Sequence, residues 1–478
     1  MAFAVNSAAH MSLPAETPAP AGPISQPLRD MHKPRHPTLE ETQDVIRNHF
    51  QLDPVNDVVN FEVLRRESDP EAFDRIRARF QVAVSTRPDA AEIRRRSFFG
   101  PTFAILLQSV FPRSEIQWIR PDLAVHYPVC TAEEIRRIQD PKSVEDDLLA
   151  LRADAIADSA RLKRVFLQRR NLRAHDWSLT SYFQDAPFQQ YLAALPAAKR
   201  AACRKLPAGF AFLLEPNGAC MRSSRGDFIV VSEALEHYLY YMNAFLFEPE
   251  ELPDGDRGAA LMIAVRTMFL KESMDFDLDP RGALPPALDQ RLRAVVQDQL
   301  QFVIGHEYGH VLLGHLNRHP AGRSPKSLIP AYVKRKLQCY TPLHNQELAA
   351  DAASLLDPDI DDSVLADRLM GATWLFLGLE VLYGVQRFIK GVPNISKTHP
   401  PPIERLWALN EKVLDERPSV ASLSYSKEEI EHLVERVLHL KGTLLEHFIP
   451  NNREQLEVYG SVYMPSFRKT PLVDWVDL

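Results

Sequence analysis

Cysteine is scarce in this chain, which has four among 478 residues, at Cys130, Cys203, Cys220 and Cys339. They are widely scattered and form neither a disulfide framework nor a CxxC pair, so the sequence predicts reduced thiols. The first residues also lack a basic stretch followed by an apolar run, which argues against a secretory signal. Together these absences predict a cytoplasmic protein.

The chain also lacks an uninterrupted apolar run of the roughly 20 residues that a membrane-spanning helix needs. Its most apolar segment, 369–385, is interrupted by Thr373 and Glu380, so we expect a buried core helix in which Glu380 has a partner. A net charge of -7 gives no reason to expect general affinity for nucleic acids or membranes. No GxSxG, GxGxxG or P-loop motif supports a serine hydrolase or a nucleotide-binding protein.

Changes of pattern divide the chain into four regions. Seven prolines among small residues predict a disordered tail over 1–37, and helical patterns predict an N-terminal helical domain over 38–206. From 207 to 415 three short strands are followed by helices, and 416–478 is expected to form a C-terminal helical extension. The sequence therefore predicts an α+β fold that is predominantly helical.

Turn residues and hydrophobic spacing locate the main elements within these regions. The segments GFAFLLE, ACMR and DFIVVS, separated by turn residues, are typical of strands. A long helix is expected at about 144–172, with Ser143 and Asp146 as a capping box, and another at about 427–447 after Ser426. The remaining helices are expected at about 233–245, 258–274, 286–316, 345–356 and 363–388.

An HExxH motif, His306-Glu307-Tyr308-Gly309-His310, lies inside the helix predicted at 286–316. Because four residues span just over one helical turn, both imidazoles project from one face and can bind one ion. Glu307 lies beside this pair, where it can take a proton from water on the metal instead of binding the metal. The motif therefore predicts a zinc ion on His306 and His310 with Glu307 as the catalytic base.

Two histidines leave a tetrahedral zinc ion one protein ligand short, so a third donor is required. We expect Glu347, in the sequence ELAAD on the helix predicted at 345–356, to be that ligand. Asp351 lies one turn further on the same face, where its carboxylate could orient a ligand histidine through the other ring nitrogen. The alanines of ELAAD and Gly309 would let the two helices approach closely.

Other possible donors fit less well. An HExxHxxGxxH site is excluded, because leucines stand where that site needs its Gly and its final His. His315 and His319 follow the motif and are interpreted as surface residues or as residues that contact a metal ligand, with direct binding of the metal as the less favoured alternative. Cys339 is interpreted as a packed thiol.

HEYGH followed by ELAAD is similar to the gluzincin metallopeptidases, in which two motif histidines and a glutamate from the next helix bind zinc. DFIVVSEAL, at 227–235, resembles the edge strand and turn before their metal helix. THPPPIERL, at 398–406, resembles the His-Pro and Arg segment of the HtpX and CaaX-protease branch. The resemblance covers about 209–410 and implies a zincin-like metallopeptidase core at 207–415, with a small sheet and an active-site helix.

Two branches of this group remain open. The HtpX and CaaX-protease branch is usually membrane-embedded, whereas this chain has no convincing span, so membrane-protein substrates are not carried over. HEYGHVLLGH and LAADAASLLDP also resemble the soluble ImmA/IrrE-like and phage-exclusion Lit-like peptidases, which cut particular intracellular proteins. The resemblance thus favours an intracellular protein as the substrate.

The resemblance implies zinc-dependent hydrolysis of peptide bonds. Zinc lowers the pKa of bound water toward about 7, while Glu307 accepts the proton and delivers it to the leaving amine. His399 and Arg405 are candidates to stabilise the oxyanion, with a structural role as the alternative. The strand at 227–231 is a candidate to pair with an extended substrate, with pairing inside the core as the alternative.

The segment 311–346, between the two ligand helices, contains no Asp or Glu. Its charged residues are Arg318, Arg323, Lys326, Lys334, Arg335 and Lys336. If this segment lines the cleft, it would favour an acidic polypeptide, whereas a solvated loop would have no such effect.

The main alternative to an enzyme is a regulatory or binding protein that keeps a zincin fold and a metal but has little or no activity. Its basic segment would then contact nucleic acid or an acidic partner. The presence of Glu307 favours the enzyme, because a purely structural zinc ion has no need of a base.

Overall fold

The computed structural model describes residues 38–468 apart from some short segments. Those segments are 54, 68–69, 87–89, 174, 215–216, 319–336, 341–342 and 391–398. The predicted tail over 1–37 lies outside the described residues, as do His319 and the basic residues from Arg323 to Lys336. The protein is α+β and 64% helical with small sheets, which confirms the coarse fold class.

The N-terminal region contains a three-stranded antiparallel sheet, so the prediction of helix throughout 38–206 is wrong in this part. Strands β1 (Asp57–Arg65) and β2 (Ser97–Phe99) both pair with β3 (Phe103–Pro112). Their sequences are rich in Val, Ile and Phe, which suit a pleated and partly buried surface. The helices around this sheet are α1 (Leu39–Asn48), α2 (Pro70–Thr86) and α3 (Ala90–Arg96).

The long helix predicted at 144–172 is two helices that meet at Ser159. The Ser143–Asp146 capping box is present at its start. Ser159 is extended, and its side chain accepts a hydrogen bond from the backbone of Leu162, so a new helix begins there. The helices of this region are α4 (Ala132–Gln139), α5 (Val144–Asp158), α6 (Ala160–Leu172), α7 (Leu179–Tyr182), α8 (Ala186–Ala194) and α9 (Ala197–Cys203).

A four-stranded sheet has the order β4-β6-β5-β7. It contains the predicted strands β4 (Ala208–Ala211), β5 (Gly218–Arg222) and β6 (Asp227–Ser232), together with the short β7 (Gln338–Cys339). β6 is parallel to β4 and antiparallel to β5, so both of its edges are occupied. The prediction that 227–231 is an edge strand able to pair with a substrate is therefore wrong.

Helices form most of the remaining described chain. They are α10 (Glu233–Leu246), α11 (Asp254–Met268), α12 (Pro286–Leu312), α13 (His315–Arg318), α14 (His344–Leu356), α15 (Asp362–Lys390), α16 (Pro402–Glu416), α17 (Lys427–Thr443) and α18 (Ile449–Glu457). The helices predicted after the sheet are all present, although the one expected to reach 316 ends at Leu312, and α13, α16 and α18 are additional. α12 is buried on all sides near its end, because α14, α15, α10 and α8 surround it.

Helix α15 is long and apolar enough to cross a membrane by length and composition, the one such helix among the described residues. In the most apolar part of this helix, 78% of the residues are buried inside the protein. Glu380 in this helix forms an ion pair of 2.5 Å with Lys441 of α17, which provides the partner that its burial requires.

One hydrophobic core extends from Phe111 to Met464. It contains residues of each region proposed for 38–206, 207–415 and 416–478. The predicted domain boundaries therefore stay predictions.

Candidate metal centre

Helices α12 and α14 approach closely at the HExxH motif. A side-chain carbon added at Gly309 would lie 3.0 Å from the carbonyl oxygen and 3.2 Å from the Cα atom of Ala350. A larger residue at 309 would therefore push the backbone of α14 away. The prediction that Gly309 and the alanines of ELAAD allow close packing is confirmed, and this packing brings Glu347 to the histidines of α12.

Three potential ligands from these two helices converge. His306 Nε2 lies 3.1 Å from His310 Nε2. One oxygen of Glu347 is 3.5 Å from His306 Nε2, and the other is 3.4 Å from His310 Nε2. Donors bound tetrahedrally at about 2.0–2.1 Å from one zinc-sized ion are about 3.3 Å apart. The spacing therefore suits a metal ion between the three buried side chains.

The Glu347 carboxylate is the group that most requires a cation. Glu347 is 0% exposed, and neither of its oxygens accepts a hydrogen bond from the residues that the structure describes. Burial opposes its ionisation, but His306 and His310 outweigh burial and hold the pKa of Glu347 well below its usual range. A buried anion without hydrogen bonds is costly. The two imidazoles and this carboxylate thus fit a divalent metal ion that accepts nitrogen and oxygen ligands.

His306 is oriented by the predicted partner Asp351. His306 Nδ1 donates to Asp351 Oδ1 at 2.8 Å, which leaves Nε2 toward the metal site. Arg405 donates to both oxygens of Asp351, at 2.8 and 2.6 Å. Burial opposes the charged form of His306, but Glu347 and Asp351 outweigh burial and raise its pKa. The prediction for Asp351 agrees with this geometry.

Arg405 reaches the centre mainly through Asp351. Its guanidinium is committed to Asp351, and its closest approach to the Glu347 carboxylate is 3.8 Å. This contact fits the structural alternative, in which Arg405 holds the carboxylate behind His306, and its role at an oxyanion stays a prediction.

His310 is supported by a different group. The chain leaves α12 through Gly314, whose φ of +68° is strained for residues with a side chain. This turn brings His315, on the short helix α13, back to within 2.9 Å of His310 through the Nδ1 atoms of both rings. With a metal ion on His310 Nε2, Nδ1 would carry the proton and donate it in a hydrogen bond to His315. Of the two roles predicted for His315, contact with a ligand is the one that the structure shows.

Glu307 lies beside the three potential ligands and is itself buried. Burial raises the pKa of Glu307, and Glu347 adds to this effect, while His306 and His310 act in the opposite direction. A carboxylate with a raised pKa is better suited to accept a proton near neutral pH than an exposed one. The role of base that the motif predicts for Glu307 stays a prediction.

His399 also reaches the centre, from the segment just before α16. Its Nε2 lies 3.3 Å from Glu347 Oε2. Burial lowers the pKa of His399 to about 4, so the ring is neutral at pH 7. The adjoining Thr398 lies outside the described residues. The structure thus brings His399 to the ligands, and its role at an oxyanion stays a prediction.

Two neighbours of the centre carry little signal in the sequence. The sequence leaves His315 between two roles, and its position five residues after HExxH is the only local hint. Cys220 contacts the Glu307 carboxylate from a strand 87 residues earlier in the chain, so no local pattern predicts it.

The chain was compared with protein-family models, with curated proteins and with solved structures, and none of these comparisons found a match.

Proposed function

We propose that the protein is a zinc-dependent metallopeptidase with a zincin-like core of the gluzincin type. The observation that carries this proposal is the convergence of His306 and His310 on the buried carboxylate of Glu347. That carboxylate lacks hydrogen-bonding partners in the described structure. Glu307, placed one residue after a ligand and beside the site, adds the base that hydrolysis needs. The motifs HEYGH and ELAAD agree with this geometry.

Zinc is the metal that this donor set favours. Three protein ligands with two imidazoles and one carboxylate are typical of catalytic zinc sites, which keep a fourth position open for water or substrate. When bound, zinc supplies a Lewis acid that makes water more acidic and polarises a peptide carbonyl. The Asp351 and His315 contacts fix the ring nitrogens that such an ion requires.

The chain's own residues divide the remaining work. Glu307 takes a proton from the attacking water and passes it to the leaving amine nitrogen. His399, neutral and close to Glu347, is the candidate to donate a hydrogen bond to the oxyanion. Asp351 and Arg405 hold His306 in position.

The strand β5 replaces β6 as the candidate to hold a substrate. β7 pairs only with Met221 and Arg222, so the β5 edge at Gly218 and Ala219 has no strand neighbour opposite β6 among the described residues. An extended peptide could add to this edge through main-chain hydrogen bonds, whatever its side chains. Our proposal therefore includes an intracellular protein or peptide as the substrate.

The test is a comparison of the native protein with Glu307→Gln in cells. We expect new protein termini in cells that make the native protein and none in cells that make the variant, because the amide cannot accept the proton. Metal analysis of both purified proteins supplies the control, and both should bind one ion.

The regulatory alternative gives a different outcome. Identical termini with metal bound in both proteins would refute the enzyme. Salt-sensitive nucleic-acid binding that Glu307→Gln leaves unchanged would favour the regulatory protein.

A further inference from the structure

Strand β5 passes directly alongside the Glu307 side chain. A side-chain carbon added at Gly218, the first residue of this strand, would lie 2.5 Å from Glu307 Oε1 and 2.9 Å from its carboxyl carbon. No residue other than glycine leaves room for the carboxylate in this position. The strand thus forms a wall against which one oxygen of Glu307 rests.

Two residues further along the same strand, Cys220 contacts the other oxygen. Its Sγ lies 3.4 Å from Glu307 Oε2 and 3.5 Å from the Glu307 backbone carbonyl oxygen. Cys220 is 3% exposed, and burial, followed by the nearby Glu307 charge, raises the pKa of the thiol well above its usual range. The thiol is therefore protonated and acts as a weak hydrogen-bond donor.

Cys339 lies on the face of the sheet opposite to Cys220. Met221 pairs directly with Cys339 across β5 and β7, so Cys339 lies on the Met221 face of the sheet. Residues next to each other in a strand point to opposite faces, which places Cys220 on the side of α12. The two hydrophobic clusters agree, since Cys220 belongs to the main core and Cys339 packs with Met221 in a smaller one.

We propose that β5 positions the catalytic base: Cys220 holds Glu307 Oε2 through its thiol, and Gly218 leaves the space that Oε1 occupies. This inference rests on the proposed function for the role of Glu307. A thiol suits the task because it is a weaker donor than a hydroxyl or a backbone amide. It orients the carboxylate while removing little of the basicity that strong hydrogen bonds would take away.

The hydrogen bond is tested without any activity assay, by the infrared S–H stretching band of Cys220 in the zinc-loaded protein. Cys220→Ala identifies the band among those of the four cysteines. In Glu307→Gln and in Gly218→Ala the band should move to higher wavenumber, because the charged acceptor is lost in one variant and displaced in the other. A band that stays in place in both variants overturns the proposal.

The kinetic arm uses fluorescently labelled unfolded casein as the probe. Cys220→Ala should lower kcat roughly fivefold with KM unchanged, the loss expected for one hydrogen bond. Cys220→Ser should restore only part of this loss, because the hydroxyl positions the carboxylate but is a stronger donor that removes more of its basicity. Gly218→Ala should lower kcat about 100-fold, because it displaces the base by about an ångström. Gly255→Ala is the matched control, since a side-chain carbon there meets nothing within 4 Å.

The two arms separate this inference from the proposed function. If the native protein cleaves neither casein nor cellular proteins, the proposed function fails, while the S–H band still decides whether β5 holds Glu307. If the native protein cleaves casein and kcat is unchanged in both Cys220→Ala and Gly218→Ala, the positioning role is refuted and the enzyme stands.

Discussion

Glu272, at 1% exposure, and Glu347, at 0%, are the two least exposed glutamates of the described residues, and their surroundings differ. Glu272 accepts hydrogen bonds on both oxygens, from Arg281 and from the backbone of Val462 on one and from Arg266 on the other. Glu347 accepts none from the described residues. Arginines and a backbone amide thus satisfy the Glu272 carboxylate, whereas the Glu347 carboxylate has no such donors among the described residues.

The arginines around Glu272 also tie the C-terminal segment to the rest of the molecule. Arg266 donates to the carbonyl oxygens of Val458 and Gly460, both at 2.7 Å. Such a closed network satisfies its own charges and stabilises one arrangement of the chain. A buried carboxylate that accepts no hydrogen bond from the described residues calls for another explanation, and a bound cation supplies one. The comparison teaches that hydrogen-bond satisfaction, and not burial alone, separates a structural ion cluster from a candidate site.

The largest effect is expected when the Glu347 carboxylate is removed. Glu347→Ala should abolish stoichiometric metal binding, because two imidazoles alone hold zinc weakly. Zinc should raise the melting temperature of the native protein and leave that of the variant unchanged, since only a ligand bound to the folded state stabilises it. Metal analysis and calorimetry with and without a chelator measure both. Equal metal content in the two proteins would remove Glu347 from the site.

Removal of the Glu272 charge should give the opposite result. Glu272→Gln leaves the charges of Arg266 and Arg281 without their buried partner and should lower the free energy of unfolding by about 3–5 kcal/mol. Metal affinity of the folded protein should not change, because this network does not include a residue of the metal centre. Urea unfolding and metal titration check the two statements. A loss of metal affinity would break the comparison.

A smaller effect should distinguish the two imidazoles within the centre. Hydrogen bonds to a charged group are stronger than those between neutral groups, so the carboxylate behind His306 should matter more than the imidazole behind His310. Loss of such a partner typically costs 10–100-fold in metal affinity, roughly. We expect Asp351→Asn near the upper end of this range and His315→Ala near the lower end, measured by competition with a chromophoric chelator. The reverse order would show that His315 does more than orient His310.

Much of the helical frame and the metal motif could be predicted from the sequence. The spacing of apolar residues indicates α12 and α14, and the HExxH motif places both imidazoles on one face of α12. The sheet of β1–β3 could not be predicted in the same way, because β1 is partly exposed along its whole length and shows no clear alternation. β7, with two residues, depends entirely on its neighbour β5.

The roles of Asp351 and Arg405 show the same difference between what the sequence predicts and what only the structure shows. Asp351 is one turn from Glu347, so its position on the same face follows from helix geometry alone. Arg405 is 54 residues from Asp351, and the resemblance suggested an oxyanion donor, whereas the structure commits its guanidinium to that aspartate.

The sequence by itself determined which side chains share a helix face, because the periodicity of a helix is a property of consecutive residues. It therefore specified the histidine pair, the neighbouring Glu307 and the small residues that let α12 and α14 approach. Only the tertiary structure decided which groups stand behind these side chains: His315 through the turn at Gly314, and Cys220 from a distant strand. Such contacts join segments that local patterns do not relate, so they exist only once the chain has folded.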